Sequence, residues 1–344
     1  MTNYSENVLG IFYRRKNELG EWSGGAMYYL RDGLGAKKGC KTVGKVLAAA
    51  FSVFCFLASF GIGNMTQVNS ISGNVYSVFG MPTWATGIVM LILCGLVIVG
   101  GLKRIATVTE KIVPFMVLIY MVGTIAILVK NFAMIPAVFT AIFEGAFALK
   151  AAGGGIVGYG IKLAIEQGMK RGVFSNEAGL GSSVMVHSNS NVREPVRQGM
   201  WGIFEVFADT MVVCTLTAFT VLSSGLIDLD TGIAVTEYAG EELTKANLVS
   251  TVFTMNFGWL GGAFVAIAIV LFAYSTVLGW SHYGSKACEY LFGARATKVY
   301  RIVFVLATFG GAVMGENLAW DIADTLNGMM MIPNLIGVTV LSPV

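Results

Sequence analysis

At 344 residues, with 55% hydrophobic and 12% charged side chains, a formal charge of +3 and a mean hydropathy of +0.71, this chain cannot be solvated as an ordinary globule. Apolar runs alternate with short charged segments, and a run of about 20 apolar residues is what the hydrocarbon core of a bilayer demands of a helix. The composition excludes a soluble domain and, with the basic residues mostly in loops, a nucleic-acid partner. It predicts an all-α polytopic membrane protein.

Residues 1–42 are polar and basic, with Arg14, Arg15, Lys16, Arg31, Lys37, Lys38 and Lys41, so the positive-inside rule places them in the cytoplasm. The start, Thr2-Asn3-Tyr4-Ser5-Glu6-Asn7, lacks the basic-then-apolar order of a secretion signal. The first span is expected at 44–72, apolar in its first half and carrying Asn64, Thr66, Gln67 and Asn69 in its second. The next, 83–101, leads to Lys103, Arg104 and Lys111, and a third follows at 112–130. Lys170, Arg171, Arg193 and Arg197 are expected inside, which requires one more crossing between 133 and 172. Gly153-Gly154-Gly155, Gly158 and Gly160 interrupt it, each costing a helix about 1 kcal/mol relative to alanine. The pattern therefore predicts a broken helix, with an outer half near 135–150 and an inner half near 159–171 bearing Lys162, Glu166 and Lys170. Spans at 197–224, 258–283, 300–315 and 318–341 complete eight crossings, with both ends inside and an acidic outer loop at Asp228, Asp230, Glu237, Glu241 and Glu242.

Unwound backbone is tolerated in a bilayer only where protein or a water-filled cavity satisfies it. The glycine break is thus a candidate substrate element through Gly154, Gly155, Ile156 and Gly158, since half-helix ends offer free N–H and C=O groups. A tight packing contact is the plainer reading. On the first span Gly61, Asn64, Thr66 and Gln67 cluster within two turns, and interhelical hydrogen bonding competes with ligand binding as their role. Glu205 and Asp209 are intramembrane carboxylates at i, i+4, candidates for coupling or for structural hydrogen bonds. Ser275 and Thr276 place two hydroxyls in an apolar helix, suited to a hard cation such as sodium, although such side chains also bond back to their own helix. Asn317, Trp320, Asp321 and Asp324 form a polar stripe at the outer start of the last span, most simply a solvated face. Five unpaired-looking cysteines read as buried small hydrophobes, two distant histidines do not make a zinc site, and Gly61-Ile62-Gly63 and Gly179-Leu180-Gly181 follow no strand, which removes a dinucleotide loop. No enzyme machinery is evident.

Several stretches resemble motifs of the alanine or glycine:cation symporter family: Gly24-Gly25-Ala26-Met27-Tyr28-Tyr29-Leu30, Gly61-Ile62-Gly63-Asn64-Met65 and Arg171-Gly172-Val173-Phe174-Ser175-Asn176-Glu177-Ala178-Gly179-Leu180-Gly181-Ser182. Leu278-Gly279-Trp280-Ser281, Ile322-Ala323-Asp324 and Ile332-Pro333-Asn334-Leu335 fit as well. The resemblance covers essentially the whole chain and implies a leucine-transporter-like fold of two inverted five-helix repeats. In that frame residues 43–341 supply core helices three to ten, as a single transporter domain, and residues 1–42 are a cytoplasmic loop with the tail of the second helix. The family's other broken helix is expected before Met1.

The function implied is a secondary active symporter in the bacterial plasma membrane, importing small neutral amino acids (alanine, glycine) with sodium. The substrate would lie between Gly61, Thr66, Gln67 and the break. Trp280 would bound the cavity, and Ser275 and Thr276 resemble the hydroxyl pair that helps hold sodium. Two alternatives stand beside it, a same-fold symporter of another small solute and a non-transporting fragment.

Overall fold

A computed structural model of the chain describes residues 1–18, 20–147, 156–238, 241–243 and 247–342. It opens with helix α1 (Thr2–Tyr13), a short antiparallel hairpin of β1 (Arg15–Lys16) and β2 (Trp22–Ser23), and α2 (Ala26–Tyr28), which widens into a π turn over Tyr29–Leu34. Helix α3 (Lys41–Phe60), a π turn at Gly61–Met65 and α4 (Thr66–Phe79) then make one rod. It is followed by α5 (Thr83–Ile98), α6 (Leu102–Lys130), α7 (Ile135–Phe147), α8 (Ile156–Asn176) and the single-turn α9 (Val184–His187). Helix α10 (Pro195–Val206) continues through a π turn at Phe207–Cys214 into α11 (Thr215–Leu222). A small hairpin, β3 (Glu237–Tyr238) with β4 (Glu241–Glu242), precedes α12 (Leu248–Phe257), α13 (Trp259–Phe292), α14 (Ala296–Val313) and α15 (Glu316–Leu341).

The seven spans expected to be continuous coincide with helices, because long apolar runs leave the backbone no partner but itself. Among the described residues five rods are long and apolar enough to cross a bilayer: Lys41–Phe79, Leu102–Lys130, Pro195–Leu222, Trp259–Phe292 and Ala296–Val313. Half of the most apolar stretch of Lys41–Phe79 and of Trp259–Phe292 is buried, against 17% for Leu102–Lys130 and 11% for Pro195–Leu222. The first two are therefore the central pillars. The other two present Leu118, Val122, Phe204 and Met211 outward, a surface that lipid, not water, can cover. This is an all-α polytopic membrane protein.

The main core gathers around α3, α13 and α15. Phe51 and Cys55 of α3, Trp280 and Tyr283 of α13, and Ala323 and Met330 of α15 meet Met27, Tyr29 and Leu30 from the segment before α3. The segment 26–34, placed by its charge in a basic cytoplasmic loop and by resemblance partly in a family motif, thus supplies the fully buried side chains of Ala26, Met27, Tyr29 and Leu30. Helix α1 lies against α10 where Gly199 faces Tyr4 and Val8, and Gly202 faces Asn3 and Asn7. Small residues at such a contact let two backbones approach closely.

One expectation from charge is corrected. Arg171 was placed beyond the inner end of its crossing and Asp324 near the outer start of the last, yet Arg171 Nη2 lies 2.8 Å from Asp324 Oδ2, and its guanidinium sits 4.6 Å from the Trp320 ring centre. The two residues share one level of the bundle. The positive-inside rule counts loop charges, whereas Arg171 belongs to α8 and finds its counter-charge on α15.

Candidate substrate site

The breaking of α8 defines the site. Helix α8 ends at Asn176 and α9 begins at Val184, and of the seven residues between them Glu177 and Ala178 are half-buried and Gly179–Ser183 are buried, Leu180 and Ser182 fully so. Glu177, Gly179 and Gly181 all have positive φ, 55°, 99° and 72°, a conformation that glycine adopts freely and other residues rarely. Gly179 lies against Met331 and Leu335, and Gly181 against Asn334 and Ala26. Asp324 and Leu335 are eleven residues apart on α15, about 16 Å of helix, so the chain from Arg171 to the turn descends along that helix into the bundle.

The turn's backbone groups are satisfied by side chains from elsewhere. Asn176 Oδ1 accepts from Ala178 N at 3.0 Å. Gly179 N donates to Glu6 Oε1 at 3.1 Å, and Gly179 O accepts from Asn334 Nδ2 at 2.8 Å. Asn334 also donates to Glu6 and accepts from the Tyr29 hydroxyl. Glu177 turns back on its own loop: its Oε2 accepts from Ser182 Oγ at 2.7 Å, and its Oε1 accepts from the indole of Trp280 at 3.0 Å. The end of α8 is tied to the next rod, with Ser175 Oγ donating to Asp209 at 2.7 Å and Asn176 Nδ2 to Thr210 at 3.0 Å.

Opposite this turn lies the π turn at Gly61–Met65. A Cβ on Gly63 would overlap the Trp280 side chain, so the missing side chain is what lets the ring reach Glu177. Gly61 packs against Ile322 and Ala323 of α15. Thr66 Oγ1 donates to Ile62 O at 2.9 Å, and Gln67 Nε2 to the same carbonyl at 3.1 Å. Asn64 is fully buried and donates to Phe304 O at 2.7 Å, while its Oδ1 has no partner among the described residues.

Gly61, Asn64, Thr66, Gln67 and Trp280 are thus brought together around the α3–α4 junction. Gln67 and Thr276 line a common cavity of about 300 Å³ with Tyr120, Thr217 and Phe272. Ser275 and Thr276 each donate to Phe272 O, at 2.8 and 3.0 Å. Glu205 bonds His187 Nε2 at 2.9 Å, and Asp209 holds Ser175 as described. A second cavity, about 290 Å³, lies between α8 and α15, lined by Glu166, Lys170, Val173, Asp324, Asn327 and Met331. Gly154 and Gly155, half of the expected glycine break, lie outside the described residues. Ile156 and Gly158 belong to the first turn of α8.

Sequence reading assigned no site role to Glu6, Glu177, Ser182 or Asn334. The signal was present in Asn-Glu-Ala-Gly-Leu-Gly-Ser-Ser, residues 176–183, which combines two glycines with helix-capping side chains and no apolar periodicity. The denser glycines at 153–160 drew the attention instead.

Comparison with known proteins shows which family this architecture belongs to. The model of the sodium:alanine symporter family matches residues 1–344. The chain belongs to that family. Among its relatives, the sodium/alanine symporter AgcS of Methanococcus maripaludis is 44% identical, over 100% of this chain and 72% of its own length. The probable sodium/glutamine symporter GlnT of Bacillus subtilis is 34% identical, over 100% and 67%. The putative sodium/proton-dependent alanine carrier protein YrbD of the same organism is 33% identical, over 98% and 69%. This family member is accordingly a cation-coupled amino-acid symporter rather than an enzyme.

Proposed function

We propose that the protein imports a small neutral amino acid, alanine or glycine, together with sodium, and that the amino acid occupies the space between the α8 interruption, the Gly61–Gln67 segment and Trp280. The observation that carries this reading is that Glu177 of the interruption bonds the Trp280 indole, whose side chain packs on Gly63. Half-helix ends suit a zwitterion, N–H groups for the carboxylate and carbonyls for the ammonium, and the groups of this interruption that Asn176, Glu6 and Asn334 hold are of those two kinds. Packing this tight leaves room for a small side chain only. Gly154, Gly155, Ile156 and Gly158 are kept as candidate substrate residues, the last two in the first turn of α8.

Ser275 and Thr276 supply two oxygens of a sodium site; hydroxyls bonded to Phe272 O keep their lone pairs free for a cation. Glu205 and Asp209 are kept as coupling carboxylates. The fold proposed is the leucine-transporter-like inverted repeat, set in a bacterial plasma membrane with both ends of the chain cytoplasmic. One charge moving down 100 mV supplies about 2.3 kcal/mol, which at about 1.4 kcal/mol per tenfold supports roughly fifty-fold accumulation.

The test is uptake of labelled alanine by proteoliposomes under an imposed sodium gradient, with unlabelled glycine, glutamine and larger amino acids as competitors. Sodium-dependent uptake blocked by alanine and glycine is the expected result. Uptake blocked only by glutamine would retain the fold and discard the substrate. A like reading for another small solute has support in the range of relatives, which includes a probable glutamine symporter.

A further inference from the structure

Glu6 and Glu177 both send carboxylates into the α8 interruption, and neither has a lysine, arginine or histidine within ion-pair distance among the described residues. Both oxygens of Glu177 and Oε1 of Glu6 accept from hydrogen-bond donors instead, while Glu6 Oε2 has no partner among the described residues. Glu6 holds Gly179 N and Asn334 of α15. Glu177 spans a different gap: one oxygen holds Ser182 Oγ across the turn, and the other holds Trp280 Nε1 of α13, with the Tyr283 hydroxyl beside it. An unpaired carboxylate away from water is costly, so its retention calls for a role that a neutral residue would not fill.

The geometry points to Glu177 as the positioning residue of the substrate site: its carboxylate fixes the Trp280 indole and the end of the interrupted helix in one relative placement, so that the two walls of the site are set by a single side chain. Three observations support this. Trp280 is almost fully buried and its ring has one hydrogen-bonding atom, which Glu177 takes. Gly63 allows the indole no lateral freedom on its other side. Glu177 has a positive φ, rare for a residue with a side chain, which is what returns its carboxylate over Ser182. The local strain is held by bonds to α13, not by the turn itself.

The proposal rests on the amino-acid site described above and is tested on the purified whole chain by sodium-dependent binding of labelled alanine, reading affinity and number of sites separately. Misfolding removes sites without changing the affinity of those that remain. Glu177→Met keeps the length and loses both acceptor oxygens and the charge; Trp280→Phe keeps the ring and loses the donor. Each is expected to weaken alanine binding about tenfold, equivalent to about 1.4 kcal/mol, and the double variant to be no weaker than Glu177→Met alone, since each removes the Glu177–Trp280 bond. Additive losses, or unchanged affinity in Glu177→Met, overturn the proposal. Should Glu177→Met yield no folded protein, Trp280→Phe decides alone: retained affinity overturns it and a tenfold loss supports it. A wild-type chain that binds no alanine with sodium contradicts the proposed substrate instead, and is read from the same control.

Discussion

Two helices of this protein are interrupted at glycine pairs spaced two apart, Gly61 with Gly63 and Gly179 with Gly181, and they are repaired in opposite ways. At Gly61–Met65 the rod from Lys41 to Phe79 carries on. The Gly61 carbonyl keeps a backbone bond from Thr66 N, and the side chains of Thr66 and Gln67, within the next turn, bond the carbonyl of Ile62. At 177–183 the helix stops, and the freed groups are met by Glu6 of α1, Asn334 of α15 and, through Glu177, Trp280 of α13. A self-contained repair is indifferent to how the surrounding helices move. A repair made by three neighbours changes whenever they shift, which is what a substrate site in a transporter requires.

Substitutions at the second interruption should therefore hurt most. Gly181→Val places a β-branched residue at φ 72° with Asn334 and Ala26 in the way. Strain of about 1–3 kcal/mol and overpacking of about 1–3 kcal/mol should remove most folded protein, read as the monodisperse fraction after extraction. Gly63→Ala sets a methyl group against Trp280; a cost of about 1–3 kcal/mol should lower the thermal unfolding temperature in detergent and weaken alanine binding together. Thr66→Val removes only a bond within its own helix and should cost about 0.6 kcal/mol, near the average for side-chain hydrogen bonds in membrane proteins, with affinity unchanged. If Thr66→Val proved as damaging as Gly181→Val, the contrast between the two repairs would fail.

The helical spans were readable because apolar runs of this length have one solution in a bilayer; α5, α14 and α15 match their expected positions within a few residues, while α6 starts ten residues earlier and α13 ends nine residues later than expected. Trp280 and the Gly61–Gln67 cluster were legible from residue type and family resemblance. The interruption at 177–183 was not, because what marks it is side-chain chemistry supplied from distant sequence: Glu6 and Asn334 lie 173 and 155 residues from Gly179. Glu177 stood within a family motif, but its partner Trp280 lies 103 residues away in sequence, so its role was not legible from its neighbours. The inside-outside assignment failed at Arg171, where pairing with Asp324 across helices replaced solvation.

The most direct test of the account is thiol labelling of Ser183→Cys, a position inside the interruption whose hydroxyl has no partner among the described residues, in a chain with Cys40, Cys55, Cys94, Cys214 and Cys288 replaced by alanine. If the amino acid sits at this interruption, a small water-soluble thiol reagent will label the site slowly, and alanine will suppress labelling only when sodium is present. Labelling that proceeds at the same rate with alanine and sodium as without them would contradict the account.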